Sequence, residues 1–499
     1  MSTITKDIVE HEAPDLFIGG EWKAPHSGRM IASIDPSTEK VWAHVAEADE
    51  TDVDRAVGAA RAALRGPWTQ KVTASQRGAM LSKLAELLRR DAKALAMLES
   101  RDNGKPLRET LGEVQRAADW LTFFAGAADK INGDQIPFRP DALAYTRREP
   151  VGVVGAILPW NSPVSLYSWK LGPALAAGNT VVLKPAEQTP VSALALGKLI
   201  EEAGFPAGVV NIVPGFGPVA GAALVAHPGV DKISFTGEHR TAQEIMRGAS
   251  VNLKRCSFEC GGKSPHILFA DADLDKALVV ATHGAFRSTG QSCSLGSRLF
   301  AQRSIYDVVV ERMAERARRI RVGMPLDANT HIGPQSSAEQ LAKTNAYIAL
   351  GKEQGARLVA GGGRPAGLER GYFVEPTVFA DVDNRSRLAQ EEVFGPVLAI
   401  IPFETEEEVI ALANDVPYGL VAGLWTQDIG RAHRVAARID AGLVSINTYR
   451  PVHWMLPYGG YKMSGLGREN GLAALDEYTE IKTVVVELAT NSPADPFAD

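Results

Sequence analysis

Cys293 lies in the run Gly290-Gln-Ser-Cys293-Ser-Leu-Gly-Ser-Arg298, among small and polar residues, with Arg287 and Arg298 close in sequence. A thiolate attacks carbonyl carbon readily and later departs readily from a thioester, so covalent acyl chemistry is what such a residue supports. Taken alone, a cysteine is more often an inert, buried small hydrophobe. Cys256 and Cys260, at strand and strand-end positions, keep that plainer reading.

A second set of polar residues follows predicted strands, and each has a bland alternative. Pro159-Trp160-Asn161 follows the first strand, Lys184-Pro-Ala-Glu187 the second, and Gly215-Phe-Gly217-Pro-Val-Ala-Gly221 the third. Phe235-Thr236-Gly237 follows the fourth and Glu259-Cys-Gly-Gly-Lys263 the fifth. If these strands share one parallel sheet, an amide, a lysine, two carboxylates and glycine turns gather at the lip where ligands bind. Singly, Asn161 reads as a turn residue, Glu259 as a cap on the Gly-Gly turn, and Glu391-Glu392 as a solvated pair. The Gly215-x-Gly217-x-x-x-Gly221 spacing is not the common dinucleotide fingerprint; alone it reads better as a tight strand-to-helix turn, and it gains weight only beside Lys184 and Glu187.

The elements that must position these residues are legible from apolar periodicity. Residues 53 to 126 predict helices, with Leu81, Leu84, Leu87 and Leu88 at helical spacing among Lys83, Glu86, Arg89 and Arg90. From Val151 to Glu259 short apolar strands alternate with helical stretches near 164–176, 190–203, 218–226 and 240–249. No hairpin signal joins them, so a mostly parallel sheet with helices on both faces is expected. Residues 262–465 repeat the α/β character, with strands near Leu299, Arg357, Val397 and Gly442. Segments 141–149 and 481–488 look like extended strands outside this run, and 489–499 is polar and expected to be loose.

Length and composition set the outer bounds. A chain of 499 residues is too long for one core. Its 45% hydrophobic and 22% charged residues are ordinary for a globular protein. A net charge of -6 without a basic run argues against nucleic acid and anionic membrane as partners. The start, Met1 to Asp7, has no apolar leader, and the three cysteines form neither a disulfide framework nor a metal spacing. A reducing cytoplasm and no metal are expected.

Taken together and in order, the motifs resemble those of the aldehyde dehydrogenase superfamily. The set adds Glu391-Glu392-Val-Phe394-Gly-Pro396, Asn447 and Pro457-Tyr458-Gly-Gly-Tyr-Lys-Met-Ser-Gly465 to those above, and spans residues 15 to 488. The resemblance implies an α/β fold: a Rossmann-like cofactor domain (1–130 and 150–261), an α/β catalytic domain (262–465) and a small β oligomerisation arm (131–149 and 478–490). It further implies oxidation of an aldehyde to a carboxylic acid through a thioester on Cys293. Asn161 and the Cys293 N–H serve the oxyanion, Glu259 is the general base, and Glu469 is a proton-relay carboxylate. Leu158, Pro159, Trp160, Lys184, Glu187, Gly217, Phe235, Thr236, Gly237, Glu238, Glu392 and Phe394 fall at cofactor positions. NAD is the expected cofactor, with NADP the alternative, because a carboxylate such as Glu187 beside the adenosine ribose repels a 2′-phosphate.

Many relatives carry serine where this chain has Glu238, and an acid facing a pyrophosphate is costly unless it turns outward or meets a cation. Positions lining the family's tunnel carry Ser162, Leu166, Trp169, Arg287, Ser292, Ser294, Arg450, Val452 and Tyr458. Two arginines there suit a carboxylate-bearing aldehyde, and Phe235-Thr-Gly-Glu238 resembles muconic-semialdehyde-type members, although pairing of the arginines with Glu or Asp is the competing reading. Trp169, Trp454 and Tyr458 suit an aromatic aldehyde equally. A CoA-acylating relative generally lacks the base that Glu259 matches, and a retired structural homologue has no use for Cys293, Glu259 and Asn161 together. The strands at 141–149 and 481–488 imply a homodimer or homotetramer.

Overall fold

The computed structural model describes residues 15–490 and 496–497. The expectations for Met1 to Asp7 and for most of 489–499 lie outside these residues.

Five strands form the centre of the first sheet: Val153–Ile157, Thr180–Lys184, Val210–Ile212, Lys232–Thr236 and Arg255–Glu259. The first four are buried along their whole length, as strands covered on both faces must be. All pair in parallel, in the spatial order third, second, first, fourth, fifth. Val153–Ile157 and Lys232–Thr236 are thus neighbours whose connections depart in opposite directions. A crevice opens beyond the strand ends at such a switch point. The register sets Ile157 beside Lys184 and Phe235, and Thr236 beside Glu259, so the polar segments emerge along one lip.

Both edges of this sheet are antiparallel. Leu16–Ile18 and Glu21–Lys23 extend it beyond Val210–Ile212, and Gly465–Leu466 beyond Arg255–Glu259. These pieces are two or three residues long, too short to show alternation in sequence.

The helix Pro163–Ala176 opens on a proline, which suits a first turn, and is buried at every position. It packs under Leu107–Ala127, and Gly172 makes the close approach possible: a Cβ there would sit 2.6 Å from the Phe124 ring. The N-terminal helical region includes Glu50–Arg65 and Ala74–Arg90, begun by capping boxes at Asp49 and Thr73.

A second sheet holds seven strands in the order Arg357–Ala360, Thr377–Ala380, Val397–Phe403, Arg298–Gln302, Pro265–Leu268, Val421–Trp425, Leu443–Ile446. All pairs are parallel except the first. The chain enters this sheet through the turn Gly261-Gly262, where a Cβ on Gly262 would lie 3.0 Å from the Cys293 carbonyl oxygen. Glycine is what lets the exit of one sheet touch the cysteine loop of the other.

A separate three-stranded antiparallel sheet pairs Gln135–Arg139, Ala142–Pro150 and Thr479–Glu487, with register from Thr479 opposite Pro150 to Glu487 opposite Ala142. Among the described residues no helix is long and apolar enough to cross a membrane, and no cluster of three His, Cys, Asp or Glu gathers to hold a metal.

The fully buried Asn179 fastens this outer sheet to the first one. Its amide donates to the Ala174 and Tyr478 carbonyls at 3.0 and 2.9 Å and accepts from the Gly152 N–H at 2.9 Å. Asn179→Ala removes three hydrogen bonds and leaves the buried Gly152 N–H without a partner, while the Ala174 and Tyr478 carbonyls keep the Asn179 and Val151 N–H groups, a loss of about 1–3 kcal/mol. The thermal unfolding midpoint should fall by several degrees; an unchanged midpoint would show that the tie carries no load.

Candidate active site

The helix Leu274–Phe286 ends in a strained turn that delivers Cys293. Ser288, Thr289 and Gly290 all take positive φ, at 53°, 56° and 70°. Such angles cost a non-glycine residue on the order of 1 kcal/mol or more and persist only when neighbours impose them. The Ser288 hydroxyl donates to Glu109 at 2.7 Å, the Thr289 hydroxyl to the Gly333 carbonyl at 3.0 Å, and Gln335 donates to the Thr289 carbonyl at 2.9 Å. A Cβ on Gly290 would fall 2.2 Å from the Gly395 backbone. Beyond the cysteine, fully buried Arg298 anchors the chain by donating to the carbonyls of Lys263, Leu412 and Ala413 and to the Asn384 side chain.

Between these anchors Cys293 stays partly open to solvent. Burial pushes its thiol up to about 11, opposed by the Tyr458 hydroxyl 3.7 Å from Sγ. The Cys293 backbone N–H makes no hydrogen bond within the described residues. Asn161, nearly buried after the first strand, donates from Nδ2 to the Gln291 carbonyl at 3.0 Å.

Glu259, at the end of the fifth strand, is buried with neither carboxylate oxygen hydrogen-bonded. Burial first, and then the negative charge of Glu469, holds its carboxyl well above the usual range. Glu469 accepts from Lys170 Nζ at 2.6 Å and from the Ser234 hydroxyl at 3.3 Å, with its second oxygen unpaired. Lys170 escaped the sequence reading, although a lone lysine inside an otherwise apolar helix was a visible signal.

Along the lip, Lys184 Nζ donates to the Pro185 carbonyl at 3.0 Å and pairs with Glu187 at 3.2 Å, and burial lowers its pKa. Gly217 opens a short helical turn where a Cβ would meet nothing within 4 Å. Leu158 and Phe235 are buried, and the Thr236 hydroxyl is buried without a partner. The ring of Trp160 meets Phe394 edge-on at 5.2 Å, and Phe394 itself is held at φ 59°. Glu392 accepts from the Gly262 N–H at 3.0 Å, and burial raises its carboxyl to about 7. It is not the solvated half of a Glu-Glu pair; only Glu391 is, paired with Arg387 at 2.9 Å. Glu238 lines the lip cleft rather than turning away from it, with its side chain 52% exposed and Arg240 3.9 Å away, so water and a cation offset the cost of an acid near a bound anion.

A tunnel reaches the sulfur from elsewhere. Trp169 stacks on Trp120 at 5.3 Å and meets Tyr458 edge-on at 5.3 Å. Arg450 donates to the hydroxyls of Ser292 and Ser294 at 2.6 and 2.8 Å, on either side of the cysteine. Arg287 lies 3.5 Å from Glu109, and the Ser162 hydroxyl accepts from Lys105 at 2.6 Å. Leu166 and Val452 complete the wall, together with Arg116 and Glu113, which the sequence reading did not single out. The lip cleft and this tunnel are separate cavities with a common wall of Asn161, Leu166 and Cys293.

A cleft at the switch point of a parallel sheet, sharing with a tunnel a wall that holds one thiol, defines the class: an α/β protein with two cavities meeting at a cysteine. The aldehyde dehydrogenase family model matches residues 22–484. An aldehyde dehydrogenase of Emericella nidulans is 48% identical over 485 residues, covering 97% of each chain. The human mitochondrial aldehyde dehydrogenase is 49% identical over 477 residues, 95% of this chain and 92% of that one. An aldehyde dehydrogenase of Bacillus cereus, solved as an NAD+ complex, superposes with a TM-score of 0.96 at 46% identity, covering 98% of this chain and 99% of that one. The chain belongs to the aldehyde dehydrogenase family and is an NAD(P)-dependent aldehyde dehydrogenase.

With its thiol raised to about 11, Cys293 carries little thiolate at neutral pH. In the free enzyme its alkylation by iodoacetamide should climb steadily from about pH 7 to about pH 9.5, close to tenfold per unit. Cys293→Ser should remove that signal, and a plateau below about pH 8 would contradict the geometry.

Proposed function

We propose that this enzyme oxidises an aldehyde to a carboxylic acid with NAD through a thioester on Cys293, hydrolysed by water that Glu259 activates. The observation that carries the reading is the wall common to lip cleft and tunnel, with Cys293 and Asn161 in it and Glu259 lining the cleft.

The lip suits the cofactor on its own evidence. A buried Thr236 hydroxyl without a partner, the open turn at Gly217, and a buried lysine beside a carboxylate are donors and room in search of a dinucleotide. Lys184 and Glu187 would hold the adenosine ribose of a bound dinucleotide and Glu392 its nicotinamide ribose, with Trp160 and Phe394 beside the ring. Glu187 repels a 2′-phosphate, which favours NAD over NADP. NAD in this cleft supplies the two-electron acceptor that takes the hydride from the substrate carbon.

In the tunnel, the Cys293 thiol gives its proton to water, and the thiolate bonds to the aldehyde carbon as the carbonyl π pair moves onto oxygen. The free Asn161 N–H and the unpaired Cys293 N–H receive that oxyanion, each such donor supporting roughly a hundredfold in rate. Once the acyl group stands on sulfur, Glu259 takes a proton from water, the hydroxide adds, and the C–S bond breaks to release the acid. Glu259 then passes its proton toward Glu469, which the Lys170 ammonium holds. The substrate is a carboxylate-bearing or an aromatic aldehyde, in keeping with guanidinium and indole groups on the same wall.

The outer sheet supports a homodimer or homotetramer: its edge strand Thr479–Glu487 leaves Ile481 and Val485 exposed, apolar groups suited to pairing with another subunit. Free cysteines in the described chain accord with the cytoplasm.

Glu259→Gln should slow turnover about 10²- to 10⁴-fold while a burst of NADH near one per site survives, because only hydrolysis is impaired. A raised Glu259 carboxyl makes wild-type kcat increase with pH as the base loses its proton, and the variant should flatten that rise. Stopped-flow absorbance checks both, and full turnover in Glu259→Gln, or dependence on added CoA, would refute hydrolysis by this base.

A further inference from the structure

Asn161 stands just ahead of a helix whose first turn is held from outside. Ser162 occupies the position before Pro163–Ala176, yet its hydroxyl makes no capping bond to that helix. A serine there ordinarily accepts from the backbone N–H two or three residues on. Here the Val164 N–H is taken instead by Glu99, 65 residues earlier in the chain, at 3.0 Å. The Ser162 hydroxyl accepts from Lys105 Nζ at 2.6 Å.

Both grips are themselves fixed. The helix Ala92–Asn103 ends at Gly104, with φ 82°, where a Cβ would lie 2.7 Å from the Pro334 ring. The next N–H, that of Lys105, donates to the Asn103 side chain at 3.0 Å. The Lys105 side chain is 1% exposed, and its ammonium donates to both Glu113 oxygens, at 2.8 Å each, as well as to Ser162. Glu99 is fully buried, and burial with the nearby Glu113 charge holds its carboxyl well above the usual range. A buried ion pair of this kind gains little net stability from its own attraction. Neither Lys105 nor Glu99 lines the lip cleft or the tunnel.

Pro163 stiffens the link between the two gripped residues. Asn161 precedes that link by one peptide unit, and among the described residues its side chain makes one hydrogen bond, to the Gln291 carbonyl at 3.0 Å. An oxyanion donor works only when held within about 0.5 Å of its place. We infer that Lys105 and Glu99 are positioning residues for Asn161, setting its amide through Ser162 and Val164. This role rests on the proposed aldehyde oxidation, in which Asn161 receives the oxyanion.

Single-turnover NADH formation from benzaldehyde, with enzyme in excess, reads the step that Asn161 serves. Ser162→Ala removes the Lys105 grip while sparing the Lys105–Glu113 pair, so it decides even if Lys105→Met does not fold. Glu99→Leu removes the other grip. Each should slow the step about tenfold, with KM for NAD and the iodoacetamide reactivity of Cys293 within about twofold of wild type. Glu99→Gln keeps an acceptor for Val164 and should restore most of what Glu99→Leu loses. In an Asn161→Ala background the same substitutions should cost less than about twofold, because the residue they position is gone. Equal losses with and without Asn161 would overturn the positioning role, and so would wild-type rates in Ser162→Ala and Glu99→Leu. A change confined to the benzaldehyde KM in Ser162→Ala would overturn it in favour of direct substrate contact. No NADH from benzaldehyde or 4-carboxybenzaldehyde in wild type, with Cys293 alkylatable, removes the parent oxidation and not the positioning alone.

Discussion

The Asn161 amide reaches from the switch point of the first sheet and donates to the Gln291 carbonyl, 3.0 Å away and 130 residues later in the chain. That hydrogen bond stitches the mouth of one sheet to the cysteine loop of the other. Since Gln291 is two residues from Cys293, it also fixes where the sulfur stands relative to the strand ends. Around it the protein tolerates what it otherwise avoids: left-handed Ser288, Thr289, Phe394 and Arg450. Each such residue is expensive, and their crowding about one seam marks where geometry is imposed from outside the local sequence.

The same seam concentrates ionisable groups away from water. Glu259 and Cys293 are both driven toward their neutral forms by burial, whereas Lys170 and Glu469 remain together at 2.6 Å. Buried pairs of this kind add little net stability, because desolvation consumes most of the attraction. Together they gather two carboxyls, a thiol and a lysine away from bulk water, where modest changes in surroundings move protons. Gly261 and Gly262 permit that density. A Cβ at Gly261 would lie 1.9 Å from a Glu392 oxygen, so the turn between sheets, the lip carboxylate and the cysteine loop can close only over a bare backbone.

Much of this was readable in the chain. Five apolar runs separated by helical stretches announced a parallel sheet, because a strand covered on both faces has no polar side to show. Cys293, Asn161 and Glu259, each bland when read singly and singled out by the resemblance of their motifs taken in order, line a common cavity. Short edge pieces such as Leu16–Ile18 were not visible, since three residues carry no period. Arg116 was missed for another reason: on a helix with polar residues at many positions, an arginine turned toward a tunnel looks like one turned toward solvent. Lys170 was the reverse case, plain to see in its apolar helix but without a partner until Glu469, 299 residues away, came beside it.

The sequence by itself determined the element types, the order of the strands along the chain and the chemical kinds of side chain at their ends. These are local matters of periodicity, turn residues and polarity. Only the tertiary structure decided which of those side chains meet, which charges cancel and which are left over. Arg287 beside Glu109 and Arg450 without a carboxylate are facts about distant segments. Coulomb and desolvation energies depend on separation in space, and no spacing along the chain encodes that.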